Sequence, residues 1–330
     1  MSSTAPVVPA PGRGPSGTPS RPSGRAQGGA LGRLSAFLYR HPYVRLGLFL
    51  LPGLVWLVAL YLGSIAGLLV YSFYRLEEFT GLVERTFTLA TYAQVLEPYN
   101  RDIILRTAGM AAVVTIASMV LAFPVAYYAA RYATPRMKTL LYLLVLMPLW
   151  SSYLVRALAW RQALTEEGIV LWVLDRIGLS GVIDALLALP VIGGPTIVQS
   201  YLSLFIVYVY LWLPFMILPV QTSLERVPES FLEASADLGA HPRTTFRRVT
   251  MPLAVPGLVA GSIFTFSLTL GDFILPSMFG ASKFFMGQQV YVQQGVVGNL
   301  PLAAAFTFVA MAIMVAYLLG ARRTGAFEAL

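Results

Sequence analysis

The sequence contains no cysteine, only two histidines and few charged residues. Without cysteine it can form neither a disulfide scaffold nor a thiolate metal site, and the other residue types form no catalytic, metal-binding or cofactor-binding pattern. Charged residues make up 12% of the chain, about half of the share usual in soluble domains. Hydrophobic residues make up 57%, and the mean hydropathy is +0.71. This composition excludes a soluble fold and indicates a membrane protein.

Six apolar runs are each long enough to cross a bilayer. An α-helix rises about 1.5 Å per residue, so about 20 residues cross a hydrocarbon core of about 30 Å. Backbone groups cannot stay unpaired in lipid, so these runs are predicted to be helices. The shortest run, the third, contains Pro148, which predicts a kink. The sequence therefore predicts an all-α membrane protein with six transmembrane helices: Leu46–Tyr74, Ile103–Ala130, Leu140–Ala159, Ile197–Val220, Leu253–Phe279 and Leu300–Leu319.

The basic residues are distributed unevenly about these six runs. Most of the 23 Lys and Arg side chains belong to one side, whereas the opposite loops are longer and carry acids as well. An excess of Lys and Arg marks the cytoplasmic side, so both termini are predicted to be cytoplasmic. Because the positive charge is explained by orientation, it does not indicate a nucleic acid partner. The cytoplasmic set is Arg13, Arg21, Arg25, Arg33, Arg40, Arg45, Arg131, Arg136, Lys138, Arg226, Arg243, Arg247, Arg248, Arg322 and Arg323.

The segments outside the apolar runs differ in composition. Residues 1–30 are rich in Pro, Gly and Ser, contain no acid, and cannot bury enough surface to offset the entropy of ordering, so they are predicted to be a disordered cytoplasmic tail. Residues 31–45 form a basic juxtamembrane segment, 46–321 the transmembrane domain, and 322–330 a cytoplasmic C-terminus. In the longest outer loop, Thr165–Ile177 is predicted to form a short helix along the outer surface.

A polar insert, residues 221–252, separates the fourth and fifth runs; we call it the coupling segment. Pro228 suits a first helical turn, and Gly239 suits a left-handed stop after the last one. A second short helical turn is predicted from His241-Pro242 to Pro252. One face of the first helix is apolar, with Phe231, Leu232, Ser235 and Leu238. Another face carries acids four residues apart, at Glu229, Glu233 and Asp237.

The acidic face is unfavourable for an isolated helix. The like charges repel each other, and Asp237 lies at the negative end of the helix dipole. Helices that lie on a membrane surface usually carry Lys or Arg on their polar face. A helix that docks against a positively charged protein partner is therefore favoured, and an amphipathic connector on the membrane surface is the alternative.

The spacing within this segment matches a known motif. Glu233-Ala234-Ser235, three residues, Gly239, nine residues and Val249-Thr250-Met251-Pro252 resemble the cytoplasmic coupling loop of ATP-driven importer permeases, which is written Glu-Ala-Ala, Gly and Ile-x-Leu-Pro. Ser235, Val249 and Met251 are mild departures from that pattern. Three further stretches resemble the permeases of spermidine/putrescine importers in particular: Pro148–Trp160, Glu167–Val170 and Leu270–Pro276.

The resemblance implies a mechanism and a set of partners. In that family two permeases form the pore in the bacterial inner membrane, an ATPase dimer binds the cytoplasmic coupling helices, and an extracytoplasmic solute-binding protein delivers the solute. The pore partner is either a second copy or a different permease, and the resemblance favours a different one. The pore opens by alternating access. The chain has no Gly-x-x-x-x-Gly-Lys-Ser/Thr motif, so ATP hydrolysis belongs to another subunit and this chain is not the enzyme. The residues implied in coupling are Glu229, Glu233, Ala234, Ser235, Asp237, Gly239 and Pro252.

One acid lies well inside an apolar run. Asp272 follows Pro252 by about 30 Å of helix, which places it in the outer part of the fifth span. A carboxylate there could attract an ammonium group, with Trp150 or Tyr153 as cation–π partners, so these three residues are candidates for the substrate path. The alternatives are an interfacial aspartate or an ion pair with Arg156, which could itself contact lipid headgroups.

Two other classes of membrane protein fit the composition. A secondary transporter or channel that works without an ATPase is one, although it should show inverted repeats or several charges at the midplane, and neither is evident. A membrane anchor without a transport path is the other. Gly257 and Gly261 are predicted to allow close helix packing in either case.

Overall fold

The computed structural model describes residues 39–77, 79–190, 192–280 and 283–323. The predicted tail 1–30, most of the juxtamembrane segment and residues 324–330 lie outside the described residues. The chain divides into two units after Ser64, and the first unit holds the beginning of the first helix.

The described residues are mostly helical, as predicted. A small antiparallel pair of strands, in which Arg75 pairs with Glu84 and Leu76 with Val83, was not predicted. In chain order the elements are α1 (Pro42–Tyr71), β1 (Arg75–Leu76), β2 (Val83–Glu84), α2 (Ala90–Val95), α3 (Pro98–Arg131), α4 (Pro135–Trp150), α5 (Tyr153–Ala163), α6 (Ile169–Arg176), α7 (Ser180–Leu187), α8 (Tyr201–Glu225), α9 (Glu229–Asp237), α10 (Pro242–Gly271), α11 (Ile274–Met278), α12 (Met286–Val292) and α13 (Leu300–Arg322).

Among the described residues, α1, α3, α8, α10 and α13 are long and apolar enough to cross a membrane. The third predicted span, Leu140–Ala159, is wrong as one continuous helix, because α4 and α5 are bent by 95° where they meet. Pro148 cannot donate a backbone hydrogen bond, and the Ser151 hydroxyl donates to the Pro148 carbonyl at 2.8 Å. The prediction of six spans therefore holds only if this bent pair counts as one.

The fifth predicted span, Leu253–Phe279, is wrong at both ends. The predicted helical turn at Pro242 is present, but it does not end at Pro252: the helix continues into the span by way of a π-helical turn at Phe246–Thr250. Such a turn shifts the hydrogen-bond pattern just before a proline that cannot donate to it. At the other end α10 stops at Gly271, because Pro276 could not donate to the Asp272 carbonyl in a continuing helix.

The core of the second unit is built around α8, which packs against both α3 and α10. Buried side chains of α8 include Leu204, Val207, Leu211 and Met216. A Cβ atom added to Gly257 would lie 2.5 Å from the Pro219 carbonyl oxygen, and one added to Gly261 would lie 2.6 Å from the Met216 sulfur. The predicted close packing at these two glycines is therefore confirmed.

The outer loop between α5 and α8 contains two short helices. The predicted helix at Thr165–Ile177 is confirmed over Ile169–Arg176, and α7 follows it. The apolar sides of both helices pack against the buried cluster around α8, through Val170, Leu171, Ile183 and Leu187.

Candidate functional site

The coupling segment contains a short helix, α9, with a defined stop. Pro228 precedes the helix in an extended conformation, and Gly239 follows it with φ +75°. The Gly239 N–H donates to the Ala236 carbonyl at 2.8 Å, and the Ala240 N–H donates to the Ser235 carbonyl at 3.1 Å. These two bonds form a Schellman motif, which requires a left-handed residue at the position of Gly239. The predicted glycine stop is confirmed.

One side of α9 contacts the beginning of α10. The hydroxyl groups of Ser235 and Thr245 lie 2.8 Å apart, and Leu232 is half-buried on the same side. The predicted apolar face is thus only partly covered: Phe231 remains 52% exposed and Leu238 88% exposed. The structure joins α9 to α10 through Ser235 and leaves two large apolar side chains uncovered.

The acidic face of α9 is open. Glu229, Glu233 and Asp237 are all exposed, and so is Ala234. Within the described part of the chain, none of the three carboxylates forms an ion pair or a side-chain hydrogen bond. The like charges therefore remain uncompensated, next to the exposed Leu238.

The coupling segment is also connected to α3. The Arg131 guanidinium, at the end of α3, donates to the Leu224 and Val227 carbonyl oxygens at 3.0 Å each. These carbonyls lie at the end of α8, where a helix leaves its last acceptors unpaired. Pro252 lines a cavity of about 680 Å³ between the ends of α8 and α10, together with Phe231. Arg131 therefore joins the end of α3 to the chain that leads from α8 into α9.

The outer candidate, Asp272, lies in the break between α10 and α11. Its Oδ2 accepts a hydrogen bond from the Tyr153 hydroxyl at 2.7 Å. Its carboxylate also accepts from the backbone N–H groups of Ile274 and Leu275, at 3.1 and 3.2 Å. Through these bonds the Asp272 carboxylate holds the first turn of α11 and connects it to Tyr153, the first residue of α5. The two broken helices meet at this carboxylate.

The other predicted partners of Asp272 are not beside it. Trp150 lies before the bend, is 82% exposed, and has no hydrogen bond or ring contact with Asp272 or Tyr153 in the described residues. The alternative of an Asp272–Arg156 ion pair is wrong, because no such pair is present among the described residues. Instead, Nε and Nη1 of Arg156 are buried without a hydrogen-bond partner.

Two aromatic residues of α8 complete this site and were not predicted. The ring of Trp212 stacks on that of Tyr153, with centroids 5.7 Å apart, and Tyr208 stacks on Trp212 at 6.5 Å. Tyr208 and Trp212 are four residues apart and so share a helix face. Their spacing was visible in the sequence, but α8 carries many aromatic and aliphatic side chains, and nothing local marks these two.

Comparison with known proteins places the chain in one family. The family described as "Binding-protein-dependent transport system inner membrane component" matches residues 122–323. The inner membrane ABC transporter permease protein YdcU of Escherichia coli (strain K12) is 50% identical over 313 residues, which cover 95% of this chain and 98% of YdcU. The spermidine/putrescine transport system permease protein PotB of Salmonella typhimurium (strain SL1344) is 30% identical over 237 residues, 70% of this chain and 77% of PotB.

A solved structure supports the same fold. A chain of a bacterial ABC transporter involved in the import of the acidic polysaccharide alginate superposes with a TM-score of 0.66 at 14% identity, covering 88% of this chain and 99% of that one. The likeness concerns the fold alone. The family match and the relatives above show the family that the sequence resemblance implied: the chain belongs to the inner membrane permease components of binding-protein-dependent ABC importers.

Proposed function

We propose that this chain forms half of the pathway for a polyamine or a similar small organic solute and that a separate ATPase drives it through α9. The observation that supports coupling most strongly is the construction of α9. It is closed by Gly239, joined to α10 through Ser235 and Thr245, and presents Glu229, Glu233 and Asp237 without partners. An exposed apolar residue beside uncompensated acids suits a protein partner with basic groups.

The polyamine assignment has separate support. PotB is named for spermidine/putrescine transport and shares 30% identity with this chain. The outer site contributes a carboxylate, Asp272, beside the stacked rings of Tyr153 and Trp212. A carboxylate and aromatic faces are the groups that attract an ammonium ion. We further propose a second, different permease as the pore partner, a solute-binding protein on the outer side, and cytoplasmic termini.

The structure also suggests how α9 acts. When the ATPase dimer closes, α9 moves with it, and its contacts carry the motion to three spans. Ser235 transmits the displacement to α10, while Arg131 connects the end of α3 to that of α8. The spans then separate on the outer side, which is the alternating-access step.

The test is uptake in proteoliposomes that contain this permease, its pore partner and the ATPase, with the solute-binding protein outside. We expect uptake of putrescine or a related amine only when ATP is present with the ATPase. A Glu233→Lys variant, which reverses one exposed charge, should insert normally and lose most of this uptake. Uptake driven by an ion gradient without the ATPase would instead identify a secondary transporter and contradict the proposal.

A further inference from the structure

The bend in the third span creates a helix terminus inside the membrane. α4 has 16 residues, about 24 Å, which is less than the hydrocarbon thickness, so α5 begins before the outer surface is reached. The first turn of α5 contains no acid, and Ser152 provides no side-chain cap. The N-terminus of a helix leaves N–H groups without acceptors and carries positive partial charge.

A partly buried cation lies in the same turn. Arg156 is three residues after Tyr153 and close enough to interact electrostatically with the Tyr153 hydroxyl. Its Nε and Nη1 atoms are buried and have no partner in the described residues. A buried guanidinium without a counter-charge is costly, and such groups are normally paired.

α8 adds two buried donors at the same place. The Trp212 indole N–H has no hydrogen-bond partner among the described residues, although Trp212 is only 7% exposed, and the Tyr208 hydroxyl, on a residue only 1% exposed, lies close to the Asp272 carboxylate. Because Trp212 stacks on Tyr153, both donors border the beginning of α5. Asp272, the nearby acid, is already bound by Tyr153 and two backbone N–H groups.

We infer that the beginning of α5, with Arg156, Tyr208 and Trp212, binds a carboxylate of the imported solute. The groups without partners are all hydrogen-bond donors, and one is cationic, so an anion satisfies them together. This inference rests on the proposed function, that the chain lines a solute path. With Asp272 as the acid of the same site, the inferred solute is a small organic amine that also carries a carboxylate, such as an amino acid. Both α8 donors are buried here, so the solute reaches them when α5 and α8 move apart.

The experiment compares two solutes of equal chain length, γ-aminobutyrate and putrescine, in proteoliposomes with the complete complex and its solute-binding protein. Wild type should import γ-aminobutyrate. Arg156→Gln should lower that uptake by about tenfold or more, while any residual putrescine uptake changes by less than about threefold. Arg161→Gln is the matched control, because Arg161 lies on the same helix but is exposed, and it should leave the preference unchanged.

Two milder variants keep the test decisive if Arg156→Gln fails to assemble. Tyr208→Phe and Trp212→Phe remove one donor each and keep an aromatic ring, and each should lower γ-aminobutyrate uptake by about threefold. Import of putrescine alone, or an equal fall for both solutes in the variants, would overturn the inference and leave the proposed function intact. ATP-independent uptake in wild type would overturn the proposed function, and the inference with it.

Discussion

The Tyr153 hydroxyl donates a 2.7 Å hydrogen bond to Asp272, and this bond joins two broken helices. Tyr153 is the first residue of α5, after the 95° bend, and Asp272 lies between α10 and α11. Discontinuous helices in transporters typically place their ends at the solute path, because the free backbone groups there need polar partners. The contact therefore has a structural role as well as the proposed role in the path.

Tyr153→Phe should reveal the structural part of this contact. The variant keeps the ring on Trp212 but removes a hydrogen bond to a carboxylate, which should lower the free energy of unfolding by about 2 kcal/mol. Thermal unfolding of the purified complex measures the change. Tyr210→Phe is the control, since Tyr210 contacts Trp160 through its ring and has no hydroxyl hydrogen bond in the described residues. Equal midpoints for the two variants would show that the bond contributes nothing.

Gly239→Val should uncouple ATP hydrolysis from transport. A Cβ at Gly239 meets nothing within 4 Å, so the effect of the variant is conformational: valine at φ +75° costs about 1–3 kcal/mol. The stop of α9 should be lost and ATP-dependent uptake should fall about tenfold, whereas Gly239→Asn, which tolerates this conformation, should retain most of it.

Gly178→Val is the matched control for this variant. Gly178 ends α6 with φ +73°, has nothing within 4 Å, and closes the same pair of backbone bonds, from Gly178 to Asp175 and from Leu179 to Leu174. It therefore imposes the same strain outside the coupling segment. We expect Gly178→Val to preserve coupled uptake. A comparable loss of ATP-dependent uptake in both variants would show that the effect comes from general destabilisation.

Gly257→Ala should destabilise the helix pair α8–α10. The new methyl group would lie 2.5 Å from the Pro219 carbonyl oxygen and 2.9 Å from the Val220 Cα, and backbone atoms cannot yield as a side chain does. We expect a loss of about 1–3 kcal/mol. Gly109→Ala, on α3 with nothing within 4 Å, should be neutral in the same unfolding measurement. If both variants unfold alike, α8 and α10 are not packed as described.

The sequence predicted the helix α9 and its end well because the signals for them are local. A proline, a glycine and acids at helical spacing act within α9 itself, and Gly239 has the predicted conformation. The apolar runs likewise predicted helices, since lipid leaves the backbone no alternative. The breaks in the helices were harder to predict. Pro148 indicated a kink, but the bend lies at Ser151 and Ser152, where the Ser151 hydroxyl donates to the Pro148 carbonyl. The side chains of the inferred site, Arg156, Tyr208 and Trp212, come together only when α5 packs on α8, and sequence spacing carries no such information.

The central claim, that α9 is the docking helix for the ATPase, is tested most directly by cysteine labelling. The chain has no cysteine, so Leu238→Cys introduces a single thiol at a position that is 88% exposed. Val296→Cys, at a 74% exposed position outside the coupling segment, is the control. We predict that a maleimide labels Leu238→Cys in the permease alone, that the bound ATPase protects it, and that the control labels equally in both states. Equal labelling of Leu238→Cys with and without the bound ATPase would contradict the account.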